Sequence, residues 1–186
     1  MAFDPACGHL LVAAPNLLDQ NFHRTVILLC NVDREGAVGL VINRPTSVQV
    51  GKVLPIADGR VEPLWIGGPV DGQSLWALHR REDLGSSGQE LMQGVWFGAE
   101  SDVIRQLLAT SAHDPSGEVF RLFAGYAGWG PGQLEDELEA GAWTVVPAGP
   151  SLLFDDQPGA LWGHMRLRSW LPCGRDPWVI SRAWMN

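Results

Sequence analysis

Residues 125–143, GYAGWGPGQLEDELEAGAW, constrain this chain more than any other segment. Residues 120–124 (FRLFA) read as a strand that enters the run. Residues 134–138 read as a short helix stopped near Gly141. Glycine, alanine and proline leave few side chains in between, so the sequence specifies the backbone path itself. Trp129 and Trp143 need neighbours to bury against. A strand, a glycine turn and a helix also form the general geometry of a phosphate-binding turn, because a helix N-terminus presents free N–H groups. Here the details fail. Gly128-x-Gly130 is followed by Gln133 where a dinucleotide turn has glycine, and no Lys-Ser/Thr pair follows. Glu135, Asp136 and Glu137 crowd the first turn, where they complement the helix dipole and repel phosphate. The run reads as a fold-defining turn in preference to a ligand loop.

The rest of the chain is rich in short apolar runs. Residues 9–14 (HLLVAA) are stopped by Pro15 and read as a buried strand; 16–23 read as a turn or one helical turn. Residues 25–31 (TVILLCN) and 37–43 (AVGLVIN) flank the turn-rich VDREG and read as an antiparallel hairpin, ended by Pro45. A short helix is expected around 48–54. Gly67-Gly68-Pro69 is a sharp break after 64–66. Residues 75–79 and 94–97 read as strands on either side of a Gly/Ser-rich loop at 85–89. Residues 102–109 carry the apolar stripe of a helix, with Ser101 as its N-cap. Residues 143–146 and 152–154 are expected as short strands, and 161–168 as a helix or a strand. Hairpin-like strands with few short helices do not alternate as in a doubly wound fold, so the class is α+β. Proline is spread along all 186 residues, which favours one domain over two.

Composition excludes several functions. With 46% apolar residues the chain can bury a sizeable core, and its net charge of −8 repels a phosphate backbone. Arg80–Arg81 and Arg166/Arg168 are the only basic concentrations, so direct nucleic-acid binding is disfavoured. Cys7, Cys30 and Cys173 form no CxxC pattern; reduced thiols in a cytoplasmic protein are the simple reading, with Cys30 buried. No signal peptide is evident, and no apolar run approaches the roughly 20 residues of a membrane span.

No catalytic residue is assigned. His9, His23, His79, His113 and His164 show no metal-ligand spacing, and no metal or cofactor is expected. His9 and His79 border strands and read as structural. Ser74 in GQSLW lacks the second glycine of a nucleophile elbow. Glu135 and Glu139 share a helix face, with Asp136 and Glu137 pointing elsewhere; this reads as a solvated acidic surface. Polar residues at strand ends are the remaining candidates. Asp19, Phe22 and Arg24 precede TVILLC, and Asn43 and Arg44 follow its partner. An Asp19–Arg24 or Asp19–Arg44 ion pair that orders the turn is the plainer expectation. The sharper one is a polar pocket shared with Gly125, Tyr126, Gly128, Trp129 and Gln133.

Several segments together resemble the bacterial YqgE/AlgH family, proteins of uncharacterised function: GHLLVAAPNLLDQNF, TVIL, GAVGLVINRPT, GGPV, LWALH, GYAGWGPGQLEDEL and GAW, in that order across most of residues 8–163. The family's Asp-Pro-x-Phe is Asp19-Gln20-Asn21-Phe22 here, and residues 165–186 diverge from its usual terminus. The resemblance implies a bifurcated β-sheet curled into a pseudo-barrel, helices packed outside, and a soluble cytoplasmic protein. Some members carry a transcriptional-regulator label, tied to control of exopolysaccharide synthesis. The leading expectation is a non-enzymatic interaction or regulatory protein acting through a protein or small-molecule partner. The alternatives are an enzyme with a site near Asp19, Arg24, Asn43 and the 125–133 turn, and an indirect transcriptional regulator. Exposure of Trp65, Trp76, Trp96 or Trp129 would favour an interaction surface.

Overall fold

A computed structural model describes residues 4–57, 59–109, 120–154 and 157–170, without the side chains at 86, 87 and 168–170. His113, Cys173 and the C-terminal segment from 171 lie outside the described residues.

Among the described residues, ten strands form one mostly antiparallel sheet, and the sheet does not close. The apolar runs at the start become β1 (His9–Ala13), β2 (Val26–Asp33) and β3 (Gly36–Val41). They alternate between two faces as a strand must. Leu10, Val12, Val26, Leu28 and Leu40 point to one core, and Leu11, Ala13, Ile27, Leu29 and Val41 to another. Burial on both faces explains why these strands read as continuous apolar runs. β2 and β3 form the expected hairpin, with Cys30 as an extra residue at a bulge.

Next comes an excursion of edge strand β4 (Pro45–Gln49), helix α1 (Val50–Val53) and a 3₁₀ turn at Pro55–Ala57, closed by β5 (Pro63–Ile66). Pro45 was expected to end a strand and instead starts one. At an edge its missing N–H costs no ladder bond. Thr46 blunts that edge: its hydroxyl donates to the Leu64 carbonyl at 2.7 Å and accepts the Val48 N–H at 3.0 Å.

β6 (Val70–His79), β7 (Gln89–Met92), β8 (Val95–Gly98) and β9 (Phe120–Trp129) make the second half, covered by α2 (Ser101–Ala109) over the core of Ala77, Leu84 and Leu122. β7 emerges at the end of a Gly/Ser-rich stretch expected as loop. Its pattern is too short to register as a strand without β8 beside it. Buried His79 is structural: Nδ1 accepts the Arg81 N–H at 3.3 Å, and burial lowers the imidazole pKa.

Helix α3 (Gln133–Glu139) leads to β10 (Trp143–Pro147), which pairs with β1. Residues 152–154, expected as a strand, belong mainly to helix α4 (Pro150–Leu153), which starts with Pro150 at its first turn. Residues 161–168 lie in α5 (Pro158–Trp170). Leu152, Leu153, Leu161 and Met165 from these two helices fill the same core as β7 and β8.

The sheet forks at β9. One edge pairs with β6. The other pairs first with β5, parallel at Leu122–Ala124, and then with β3, antiparallel at Ala127–Trp129. Gly67 fills the fork: it donates to the Ala124 carbonyl at 2.9 Å and accepts the Val41 N–H at 2.8 Å. The chain then passes across β9 within a few residues, since Ile66 lies on one edge and Val70, opposite Tyr126, on the other. Backbone crosses backbone here. A Cβ on Gly67 or Gly68 would land on the main chain of Gly125 or Tyr126. Gly125, at φ +69°, has the Gly68 and Val70 carbonyls 2.7 and 2.8 Å from where its Cβ would be.

Candidate functional site

The strand-end polar residues meet at one end of the β2–β3 hairpin. Asp19 opens the turn, its Oδ1 accepting the N–H groups of Asn21 at 2.8 Å and Phe22 at 3.2 Å. The Thr25 hydroxyl donates to the Phe22 carbonyl at 2.8 Å, and His23 Nδ1 to the Leu17 carbonyl at 3.0 Å. From the far strand, Asn43 holds both sides of the hairpin: Oδ1 accepts the Val26 N–H at 2.9 Å, and Nδ2 donates to the Arg24 carbonyl at 3.0 Å. Arg44 donates to the carbonyls of Asn21 at 2.6 Å and His23 at 2.9 Å. Partial burial lowers the Arg44 pKa, against the opposing effect of the Asp19 carboxylate nearby.

The expected Asp19 ion pairs do not form among the described residues. Backbone carbonyls in the tight turn offer Arg44 fixed acceptors, and backbone N–H groups take Asp19. Arg24 sits in the left-handed region at φ +55°, uncommon for a side chain of this kind. Its guanidinium lies 5.4 Å from the centroid of the Trp162 ring.

Asn43→Ala is expected to cost about 1–2 kcal/mol of folding stability, because it strands the N–H of fully buried Val26. Urea unfolding checks this. Asn43→Asp, which keeps the acceptor, is expected to lose less. An alanine variant as stable as the wild type would contradict the clasp.

Phe22 connects this turn to the glycine–tryptophan run. Its ring stacks near Trp129 (6.3 Å, 20°) and meets Trp143 edge-on (5.6 Å, 74°); the two indoles are themselves edge-to-face at 6.1 Å. Glu137 sits between them. Its Oε2 accepts both indole N–H groups, from Trp129 at 2.9 Å and Trp143 at 2.7 Å. Its Oε1 accepts Gln133 Nε2 at 2.9 Å, and Gln133 Oε1 accepts the Gly130 N–H at 3.1 Å. Glu137 was expected only to point away from the face that Glu135 and Glu139 share, within a solvated acidic helix; it points onto the two indoles and Gln133. The signal in the sequence is a carboxylate on a short helix flanked by two tryptophans that each need an acceptor.

Asp19, Phe22, Arg24, Asn43, Arg44, Trp129 and Gln133 therefore belong to one neighbourhood, together with Glu137, Trp143 and Trp162, which sequence reasoning left out. Gly125 belongs to the crossing described above. Tyr126 lies on the opposite face of β9 from Trp129 and meets Trp76 edge-on at 5.8 Å; Gly128 is exposed. The Gly130 N–H is already taken by Gln133, so the turn before α3 is filled by its own side chain. Among the described residues, no group of three or more His, Cys, Asp or Glu is placed to hold a metal ion. No helix there is long and apolar enough to cross a membrane.

The fold of this sheet matches that of the AlgH-like proteins. The chain belongs to this family, whose model matches residues 10–170. Among its relatives, a UPF0301 protein of Chlorobium luteolum is 38% identical over 159 residues, covering 86% of this chain and 83% of that one. The UPF0301 protein SCO2948 of Streptomyces coelicolor is 44% identical over 171 residues, covering 87% and 85%. The solution structure of AlgH from Pseudomonas aeruginosa superposes with a TM-score of 0.74 at 31% identity, over 92% of this chain and 94% of that one. A crystal structure of DIP2367 from Corynebacterium diphtheriae gives 0.72 at 27% identity, over 93% and 91%.

Proposed function

We propose that this is a non-enzymatic interaction or regulatory protein of the bacterial cytoplasm, acting through contacts with a protein or a small ligand. One observation carries the reading: Asn43, Arg44, Glu137 and one carboxylate oxygen of Asp19 in the candidate site are turned onto the chain itself. Asp19, Asn43 and Arg44 hold backbone, and Glu137 holds two indoles and Gln133. A general acid or base needs a polar atom free to reach a substrate. A surface for contacts lies elsewhere. Trp65 and Trp129 are buried and Trp76 and Trp96 half-buried, so the tryptophans do not supply it. Val48, Val53, Ile56 and Val61 are exposed, all on the excursion between β3 and β5. Regulation through a protein, not through DNA, fits the net charge of −8.

The test is quantitative capture from the native cell with wild-type protein and with Val53→Asp/Ile56→Asp, both first shown to fold by circular dichroism. The expected result is a stoichiometric partner that the double variant loses. The reading fails if capture is indifferent to that surface. It also fails if the purified protein turns over a substrate and Arg24→Ala abolishes the turnover.

A further inference from the structure

Two cysteines that no role above uses flank one backbone hydrogen bond between the start of β1 and β2, where β7 comes close. Cys7 precedes β1, in a turn closed by the His9 N–H on the Ala6 carbonyl at 3.0 Å, and Cys30 is the bulged residue of β2. The Gly8 N–H donates to the Leu29 carbonyl at 2.8 Å. Cys7 and Cys30 are the next residues beyond each end of that bond. Covalent geometry therefore keeps their Cα atoms within about 8 Å of each other, and a disulfide spans about 4.4–6.8 Å.

Both thiols are placed at the same seam. Cys30 belongs to the core that contains Leu91 of β7, and its Sγ lies 3.5 Å from the Leu28 carbonyl. Cys7 Sγ accepts from Gln89 Nε2, also on β7, at 3.7 Å. Gly8, at φ +80°, lets the β7 backbone come close: its Cβ would be 2.7 Å from the Leu91 carbonyl. Cys7 is half-buried and Cys30 fully buried, so one thiol is accessible to a small oxidant and the other is shielded. Burial pushes the Cys30 thiol up, with a smaller contribution from Cys7 itself.

We infer that Cys7 and Cys30 are a reversible modification site, a thiol pair that peroxide converts to an intramolecular disulfide. The Cys7 thiolate attacks a peroxide oxygen; the S–O bond forms, the O–O bond breaks, and hydroxide leaves as water on taking a proton. Cys7 is then a sulfenic acid, oxidised by two electrons. Cys30 attacks that sulfur; the S–S bond forms, the S–O bond breaks, and the Cys30 proton leaves with hydroxide as water. The closed loop contains β1, the Asp19–Thr25 turn and the first half of β2, so oxidation tethers the segment that presents Asp19, Phe22 and Arg24.

The experiment uses the full chain carrying Cys173→Ser, exposed to hydrogen peroxide, then alkylated and analysed by intact mass and non-reducing peptide mapping. The expected product is lighter by two hydrogen atoms, resists alkylation, links the peptides of Cys7 and Cys30 within one chain, and reverts with dithiothreitol. It should form faster in folded protein than in urea. In a Cys30→Ala background, confirmed folded by its unfolding curve, Cys7 should accumulate as a sulfenic acid trapped by dimedone. The inference is overturned if both thiols alkylate after peroxide. It is equally overturned if Cys7 passes to sulfinic acid with Cys30 intact, if the link joins two chains, or if urea does not slow the reaction.

Discussion

Gly68→Ala is expected to abolish the native fold: the protein should lose its cooperative urea transition or unfold with a loss above about 4 kcal/mol, most of a typical domain's stability. The cause is local and severe. At this residue the chain crosses from one edge of β9 to the other, and a Cβ there would overlap the carbonyl group of Tyr126 and the Ala127 nitrogen. Backbone atoms cannot swing aside as a flexible side chain would, and moving β9 disturbs its pairing with β3, β5 and β6 together. Gly163→Ala is the matched control. It lies in α5, a Cβ there meets nothing within 4 Å, and alanine in a helix is favoured by up to about 1 kcal/mol. Far-UV circular dichroism with urea titration of the two variants separates the cases. A Gly68→Ala protein that unfolds at the wild-type midpoint would show that the crossing tolerates a side chain.

That crossing marks how far the sequence could be read. Apolar runs announced β1, β2 and β3 because both faces are buried, and such a run is a property of a single strand. The glycines at 67–68 and at 125 were each legible as places where backbone must bend or come close. Nothing in either motif says that they approach each other, because the contact joins residues more than fifty positions apart and leaves no periodic trace. The same holds for the site. Asp19 as a turn residue follows from local chemistry. Arg44 reaching the carbonyls of residues 21 and 23 depends on the β2–β3 register and could not be separated from an ion pair by composition. α4 was misread because Leu152, Leu153 and Phe154 form an apolar run too short to carry a period. Pro150, at its first turn, was the available signal.

Glu137→Ala is expected to cost about 2–4 kcal/mol, since it removes three hydrogen bonds to a charged group and leaves two indole N–H groups without their acceptor. Trp129 and Trp143 are each only 5% exposed, so water replaces that acceptor poorly. Glu137→Gln should cost less, about 1–2 kcal/mol: one amide oxygen can still accept, while the amide nitrogen faces groups that are themselves donors. Urea unfolding followed by tryptophan emission reads both the global stability and the local environment of the indoles. Coupling to the hairpin turn gives a sharper measurement. Phe22 packs on the two rings that Glu137 holds, so the effects of Phe22→Ala and Glu137→Ala should fail to add by about 0.5–1.5 kcal/mol. Additivity would mean that the clasped turn and the glycine–tryptophan run are neighbours without energetic connection. A measurable coupling would mean that a ligand or partner displacing Phe22 alters the α3 end of the sheet as well.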